Sequence, residues 1–163
     1  MPLRRQAWAR GVRGLRAMKV REYLAKLKRV VISCRPEDTV ETAATLLVTN
    51  QIGAMPVRDA SGTVVGMLSE RDILRGFSQA GKQIERLLVG ELMAKRLITC
   101  APDDAMVEAR KQMKANRVRH LLVLEDGRLA GLLSISDVLE AILQDTDMEV
   151  HILRDHAMAR RGM

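Results

Sequence analysis

A chain of 163 residues, 47 % apolar and 29 % charged, has the size and composition of one compact soluble domain or two very small ones sharing a core. Two cysteines with no CxxC or Cys/His spacing exclude a disulfide framework and a zinc site. No apolar run reaches the roughly eighteen residues that a membrane helix needs, and no secretory h-region follows the start. The net charge of +7 is lopsided: residues 1–29 hold ten Lys and Arg against Glu22 alone, and the remainder balances at −2. The fold itself therefore lacks the basic stripe of a nucleic-acid-binding core, and a cytoplasmic protein is expected.

In chain order, residues 1–17 come first as a basic leader, with Arg4, Arg5, Arg10, Arg13 and Arg16 around Trp8. It reads as a disordered tail or the result of an upstream start codon, with Met18 opening the domain. Its Arg-rich, acid-poor character also fits a surface or nucleic-acid anchor, or a targeting peptide, although Ser and Thr are missing.

Beyond it the sequence repeats itself. Val31-Ile-Ser-Cys-Arg-Pro-Glu-Asp-Thr-Val40 aligns with Leu97-Ile-Thr-Cys-Ala-Pro-Asp-Asp-Ala-Met106 at an offset of 66, and residues 52–57 align with 118–123. One residue is then lost in a turn, and Gly66-Met-Leu-Ser-Glu-Arg-Asp72 matches Gly131-Leu-Leu-Ser-Ile-Ser-Asp137 at an offset of 65. The pattern predicts strand, helix, strand, turn, strand and helix in each unit. A short strand (30–33, and 97–99) ends at Pro36 or Pro102, and Asp38 or Asp104 stands where an N-cap is wanted. The first helix carries apolar residues at 40, 43, 44, 47 and 48, its partner at 106, 109 and 113. Strands 55–58 and 64–68 flank a turn containing Gly62, and the partner hairpin turns at Glu125-Asp-Gly127. Closing helices run from Ser69 to about Phe77 and from Ser134 to about Leu143.

Val89-Gly-Glu-Leu-Met93 echoes Val20-Arg-Glu-Tyr-Leu24, which suggests a lead-in before each repeat. The expected divisions are a first repeat over 18–77, a linker over 78–90, a second repeat over 91–145 and a helical tail over 146–163. A unit of some 55–60 residues buries too little surface to stand alone. The two should pack about a pseudo-twofold axis as an α+β fold of tandem β-α-β-β-α units.

The motif Gly-x-x-Ser-x-x-Asp, present as Gly66…Ser69…Asp72 and Gly131…Ser134…Asp137, stands in register within this whole-unit repeat. Together with the strands at 52–57 and 118–123, it makes residues 18–145 resemble the cystathionine-β-synthase (CBS) pair family, also called Bateman modules. The resemblance is to stand-alone bacterial members, whose tails are similar to 149–156. It implies clefts between paired repeats that bind AMP, ADP or ATP. Asp72 and Asp137 would take ribose hydroxyls, Ser69 and Ser134 would meet phosphate, and the second strand would line adenine. It also implies a homodimer, an unidentified regulated protein, and no catalysis, metal or cofactor.

The residue chemistry suits that role. A carboxylate accepts both donors of a ribose diol, and a helix start with a hydroxyl and free N–H groups suits phosphate. Gly66 and Gly131 leave room for close approach of backbone or ligand. Ser33 and Thr99 supply further hydroxyls. Ala54, Met55 and Pro56 in one unit, His120 and Leu121 in the other, offer an apolar slot for adenine. Arg119 and His120, replacing Gly53 and Ala54, add charge for phosphate and make unequal occupancy an expectation. Ser-x-x-Asp is equally a plain capping box, worth about 1 kcal/mol without any ligand, so cap and ligand contact both stay open. So does the pairing of each aspartate with an adenine slot, and the choice among AMP, ATP, NAD(H) and S-adenosylmethionine, which share an adenosine face. A structural dimerisation adaptor with empty clefts is the alternative function. A dehydrogenase barrel needs roughly 250 residues, and no P-loop, GxSxG or zinc-hydrolase motif is present. His151 and His156, five apart, do not share a helix face as metal ligands would.

Overall fold

Each repeat turns from its first extended segment into its first helix at a proline, Pro36 or Pro102, and from there the two run in parallel. The computed structural model describes residues 18–144, 146 and 147. The basic leader and most of the expected tail, including His151 and His156, lie outside them. The elements are α1 (Val20–Leu27), α2 (Val40–Thr49), β1 (Ala54–Arg58), β2 (Val64–Ser69), α3 (Glu70–Ala80), a 3-10 turn (Gly81–Arg86) and α4 (Val89–Leu92). They continue as β3 (Thr99–Cys100), α5 (Met106–Asn116), β4 (His120–Glu125) and β5 (Arg128–Ser134). A closing helix, α6, runs over 135–144. The result is an α+β fold of two tandem repeats. Each is built on an antiparallel hairpin, with Ala54 opposite Ser69 in β1–β2 and His120 opposite Ser134 in β4–β5.

The first strands are later and shorter than the sequence predicts. In the second repeat β3 pairs parallel with β4, Cys100 opposite Val123. In the first repeat only the bridge between Cys34 and Val57 remains, and residues 30–33 form no strand. Proline chemistry explains the difference. Leu122 donates its N–H to the Ile98 carbonyl at 3.2 Å. Its counterpart Pro56 has no N–H to give, so the ladder loses that rung.

The helix starts also differ from expectation by one residue. Thr39 caps α2 by accepting from the Thr42 N–H at 3.2 Å, and Ala105 precedes α5 with no side-chain cap. Asp38 and Asp104 instead reach back to the N–H groups of Arg35 and Ala101, at 2.7 and 2.9 Å, and close the proline turns. Along α2, Val40, Ala43 and Leu47 are buried but Val48 is exposed; on α5, Met106, Ala109 and Met113 are all buried. Helix α3 runs on to Ala80, where Gly81 at φ +56° ends it.

The lead-ins cross over. Helix α1 opens the first repeat but docks on the second: Val20 donates to the Asp104 carbonyl at 3.0 Å and Arg21 to that of Pro102 at 2.8 Å. Helix α4 opens the second repeat and docks on the first in the same way, through Val89 to Asp38 at 2.8 Å and Gly90 to Pro36 at 2.9 Å. Two apolar cores result. One gathers Met18, Val20 and Tyr23 with Cys100, Met106, Leu121 and Leu133. The other gathers Val89 with Cys34, Leu47, Met55 and Leu68. The motif glycines make this docking possible. A Cβ on Gly131 would lie 2.6 Å from Leu24 Cδ1, and one on Gly66 would collide with the Met93 sulfur. The neighbour that needs the space is a lead-in side chain rather than a ligand.

Burial pushes both thiols, Cys34 and Cys100, up to about 11, and the nearby Asp38 and Asp104 carboxylates add to the shift. They are packing groups rather than nucleophiles. Among the described residues no helix is long and apolar enough to cross a membrane.

Candidate functional site: paired clefts between the repeats

The end of each hairpin delivers the motif serine to the start of the next helix, and the motif aspartate follows three residues later. Asp72 Oδ2 accepts from the Ser69 N–H at 2.9 Å and the Ser69 hydroxyl at 2.6 Å, and the Asp72 N–H returns to Ser69 Oγ. Asp137 Oδ2 takes the same pair from Ser134 at 2.8 and 2.7 Å, with the return bond at 3.1 Å. Both motifs are therefore complete capping boxes. Each box uses one carboxylate oxygen. The other, Oδ1, takes an arginine: Arg75 NH1 at 3.4 Å from Asp72, and Arg29 NH1 at 2.9 Å from Asp137. The Asp137 carboxylate is buried, and Arg29 reaches it from the segment that opens the first repeat.

Each aspartate lines a cleft whose far wall belongs to the other repeat. The first cleft, about 290 Å³, lies between 69–75 and the second repeat's Arg96, Ile98 and 117–120. The second, about 480 Å³, lies between 134–140 and the first repeat's 29–32 and 51–54. Both volumes are near the lower part of the range for small-molecule sites, roughly 300–1,000 Å³.

Strand alternation sorts the residues singled out from sequence. Ala54, Arg119 and His120 line both clefts; Ser69 and Asp72 line the first, Ser134 and Asp137 the second. The next side chains along the strands, Met55 and Leu121, point into the two cores and are fully buried. Pro56 is buried in β1, Ser33 and Thr99 are half-buried, and none of the three lines either cleft. Burial holds the His120 imidazole below its ordinary value, against the pull of Asp137 and Glu70.

Sequence reasoning missed the arginines Arg29, Arg71, Arg75, Arg96 and Arg117. Arg75 carries a faint signal, one helical turn beyond Asp72. Arg117 carries none by periodicity. It sits in the left-handed region at φ +55°, as its counterpart Gln51 does at φ +54°, and each turns the chain out of its helix into a cleft wall. Among the described residues no group of His, Cys, Asp and Glu is placed to hold a metal ion.

Two copies of a model described as the CBS domain match residues 20–79 and 89–144, the same two repeats. The chain belongs to the CBS-domain family. A mitochondrial CBS-domain-containing protein of Arabidopsis thaliana is 31 % identical over 124 residues, covering 74 % of this chain and 60 % of the relative's length. The crystal structure of a CBS-domain protein of Agrobacterium tumefaciens matches with a TM-score of 0.74 and 34 % identity, over 77 % of this chain and 93 % of that one. A CBS-domain protein of Pyrobaculum aerophilum, solved as a complex with AMP, matches with a TM-score of 0.66 and 28 % identity, over 74 % and 89 % of the two chains. This CBS pair thus shares its fold with bacterial and archaeal counterparts, and it spans less than two thirds of the Arabidopsis relative's length.

Proposed function

We propose that this CBS pair is a noncatalytic sensor that binds adenine nucleotides, AMP, ADP, ATP or another adenosyl ligand, in the clefts between its repeats. One observation carries the reading: each motif carboxylate keeps an oxygen outside its capping box, in a cleft walled by the other repeat. That oxygen suits a ribose diol, the shared wall of Ala54 and His120 suits the adenine, and Ser69 or Ser134 with Arg119 suits phosphate. The Pyrobaculum relative's complex with AMP supports the same ligand class. Ser33, Thr99, Pro56, Met55 and Leu121 act one layer behind, shaping the walls. A ligand touching both repeats favours one arrangement of them over others, and so changes what an unidentified regulated protein meets.

A thermal-shift screen of the chain against AMP, ADP, ATP, NADH and S-adenosylmethionine tests this. At a hundredfold excess over Kd, a binding ligand adds about 2.7 kcal/mol, roughly 5–10 °C for a domain of this size. The shift should vanish for one ligand or site in Asp72→Ala or Asp137→Ala. A flat response to every ligand, with the variants merely less stable, leaves the motifs as helix caps and favours the adaptor.

The working form we propose is a homodimer in the cytoplasm. Leu74 and Phe77 on α3, with Leu139 and Leu143 on α6, are 46 to 69 % exposed. Leu74 and Leu139 are repeat equivalents, so the two helices offer a matched apolar face to a second copy. Light scattering on a sizing column should give twice the 18.2 kDa chain mass, and Leu74→Asp with Phe77→Asp should halve it. A wild-type protein of single-chain mass sinks the dimer.

A further inference from the structure

The two clefts are built on one plan but carry different charge. Arg71 and Arg75 in the first stand where the second has Ser136 and Glu140, at the offset of 65. Arg96 and Arg117 stand where it has Val30 and Gln51, and Arg119 where it has Gly53, at the offset of 66. At four paired positions, each lining one cleft only, the first cleft has an arginine and the second a neutral or acidic residue. Arg119 and its counterpart Gly53 lie between the clefts and line both. The first cleft balances five arginines against Glu70 and Asp72. The second balances Arg29 and Arg119 against Asp137 and Glu140.

The arginines also differ in what they already bind. In the second cleft Arg29 is held on Asp137 at 2.9 Å. In the first, Arg75 has only a long contact to Asp72 at 3.4 Å, and Arg71, Arg96, Arg117 and Arg119 form no ion pair with the described residues. Guanidinium groups that line one concave wall without an ion pair among the described residues repel one another until an anion joins them. A run of phosphate oxygens is the ligand that meets several forks at once.

Resting on the nucleotide-sensor reading, we infer that the first cleft alone is a polyphosphate site. It takes nucleoside di- and triphosphates and prefers them over the monophosphate, while the second cleft takes no phosphorylated tail. A ligand of the second cleft must instead displace Arg29 from Asp137, and it meets Glu140 where a phosphate would meet Arg75.

Titration calorimetry of the full chain with adenosine, AMP and ATP tests the assignment. Affinity should rise about tenfold or more from adenosine to ATP and fall steeply with salt, at one ATP per chain. Exchanging first-cleft residues for their second-cleft counterparts, Arg71→Ser with Arg117→Gln, should weaken ATP about tenfold or more and change adenosine less than about twofold. Gln is already tolerated at the left-handed position 51, so the fold should accept it at 117. The reverse exchange, Ser136→Arg with Gln51→Arg, should create a second ATP site. Three results overturn the inference while nucleotide sensing stands: equal affinity for adenosine and ATP, two equal ATP sites in the wild type, or ATP binding that survives the Arg71/Arg117 exchange but is lost in Asp137→Ala. Failure of adenosine, AMP and ATP alike overturns the inference, and a flat response to NADH and S-adenosylmethionine as well removes the sensor reading with it.

Discussion

Tyr23→Ala should lower the unfolding free energy by about 3–5 kcal/mol, as measured by urea denaturation. The residue lies in the lead-in helix that opens the first repeat, yet it is 2 % exposed within the core of the second, and its hydroxyl donates to Glu140 Oε2 at 3.0 Å. Removing the ring opens a cavity beneath α6 and frees α1 from the only repeat it closes. Tyr23→Phe keeps the ring and loses the hydrogen bond, and should cost about 1 kcal/mol. The phenol also has a pH signature. Burial first, then the bond to Glu140, pushes it up to about 12 from 10.0. The neutral form is thus favoured in the fold. Its contribution is whole below pH 10 and drains away as pH rises through about 12. Tyr23→Phe should flatten that part of the alkaline stability profile. A loss under about 1 kcal/mol for Tyr23→Ala would mean that α1 adds little to the second repeat.

Met55→Ala and Leu121→Ala should each cost about 2–5 kcal/mol and leave the nucleotide affinity of the folded protein within about twofold. The two are repeat equivalents, fully buried, one in each core. Their sequence neighbours Ala54 and His120 line the clefts. Successive side chains on a strand point to opposite faces, so of two residues adjacent in sequence one packs in a core and the other lines a cleft. Denaturant melts give the stability and calorimetry at low temperature gives the affinity. A large drop in affinity with stability intact would place these side chains against the adenine after all.

The arrangement of elements was largely legible. The matched offsets mark both repeats, and the Ser-x-x-Asp pattern marks both capping boxes because a cap is a contact across three residues. The loss of the first strand over 30–33 was not read from the sequence, although its physical cause stands there in Pro56, whose missing N–H removes a rung that Leu122 keeps. The displacement of the helix caps from Asp38 and Asp104 was not legible either. An aspartate beside a proline turn can reach forward to a helix or back to the turn, and both are local bonds of similar worth.

The clefts' lining was legible in the motif carboxylates, in Ser69 and Ser134, and in Ala54, Arg119 and His120. The other arginines escaped because an exposed arginine on a helix or at a helix end looks the same in sequence whether it faces a cleft or open solvent. Arg96 and Arg117 join Arg71 and Arg75 only because the second repeat's wall faces the first repeat's motif.

The sequence by itself thus determined what each repeat is: its hairpin, its helices, its Ser-x-x-Asp capping box and its duplicated motif, all of which depend on residues a few positions apart. Tertiary structure alone decided which repeat each lead-in closes, which wall each aspartate faces, and how unequal the clefts are in charge. Those outcomes rest on contacts such as Arg21 to Asp103, 82 residues apart, Arg29 to Asp137, 108 apart, and Tyr23 to Glu140, 117 apart. Local periodicity records which face of an element is apolar, but not which of two nearly identical partners that face will meet.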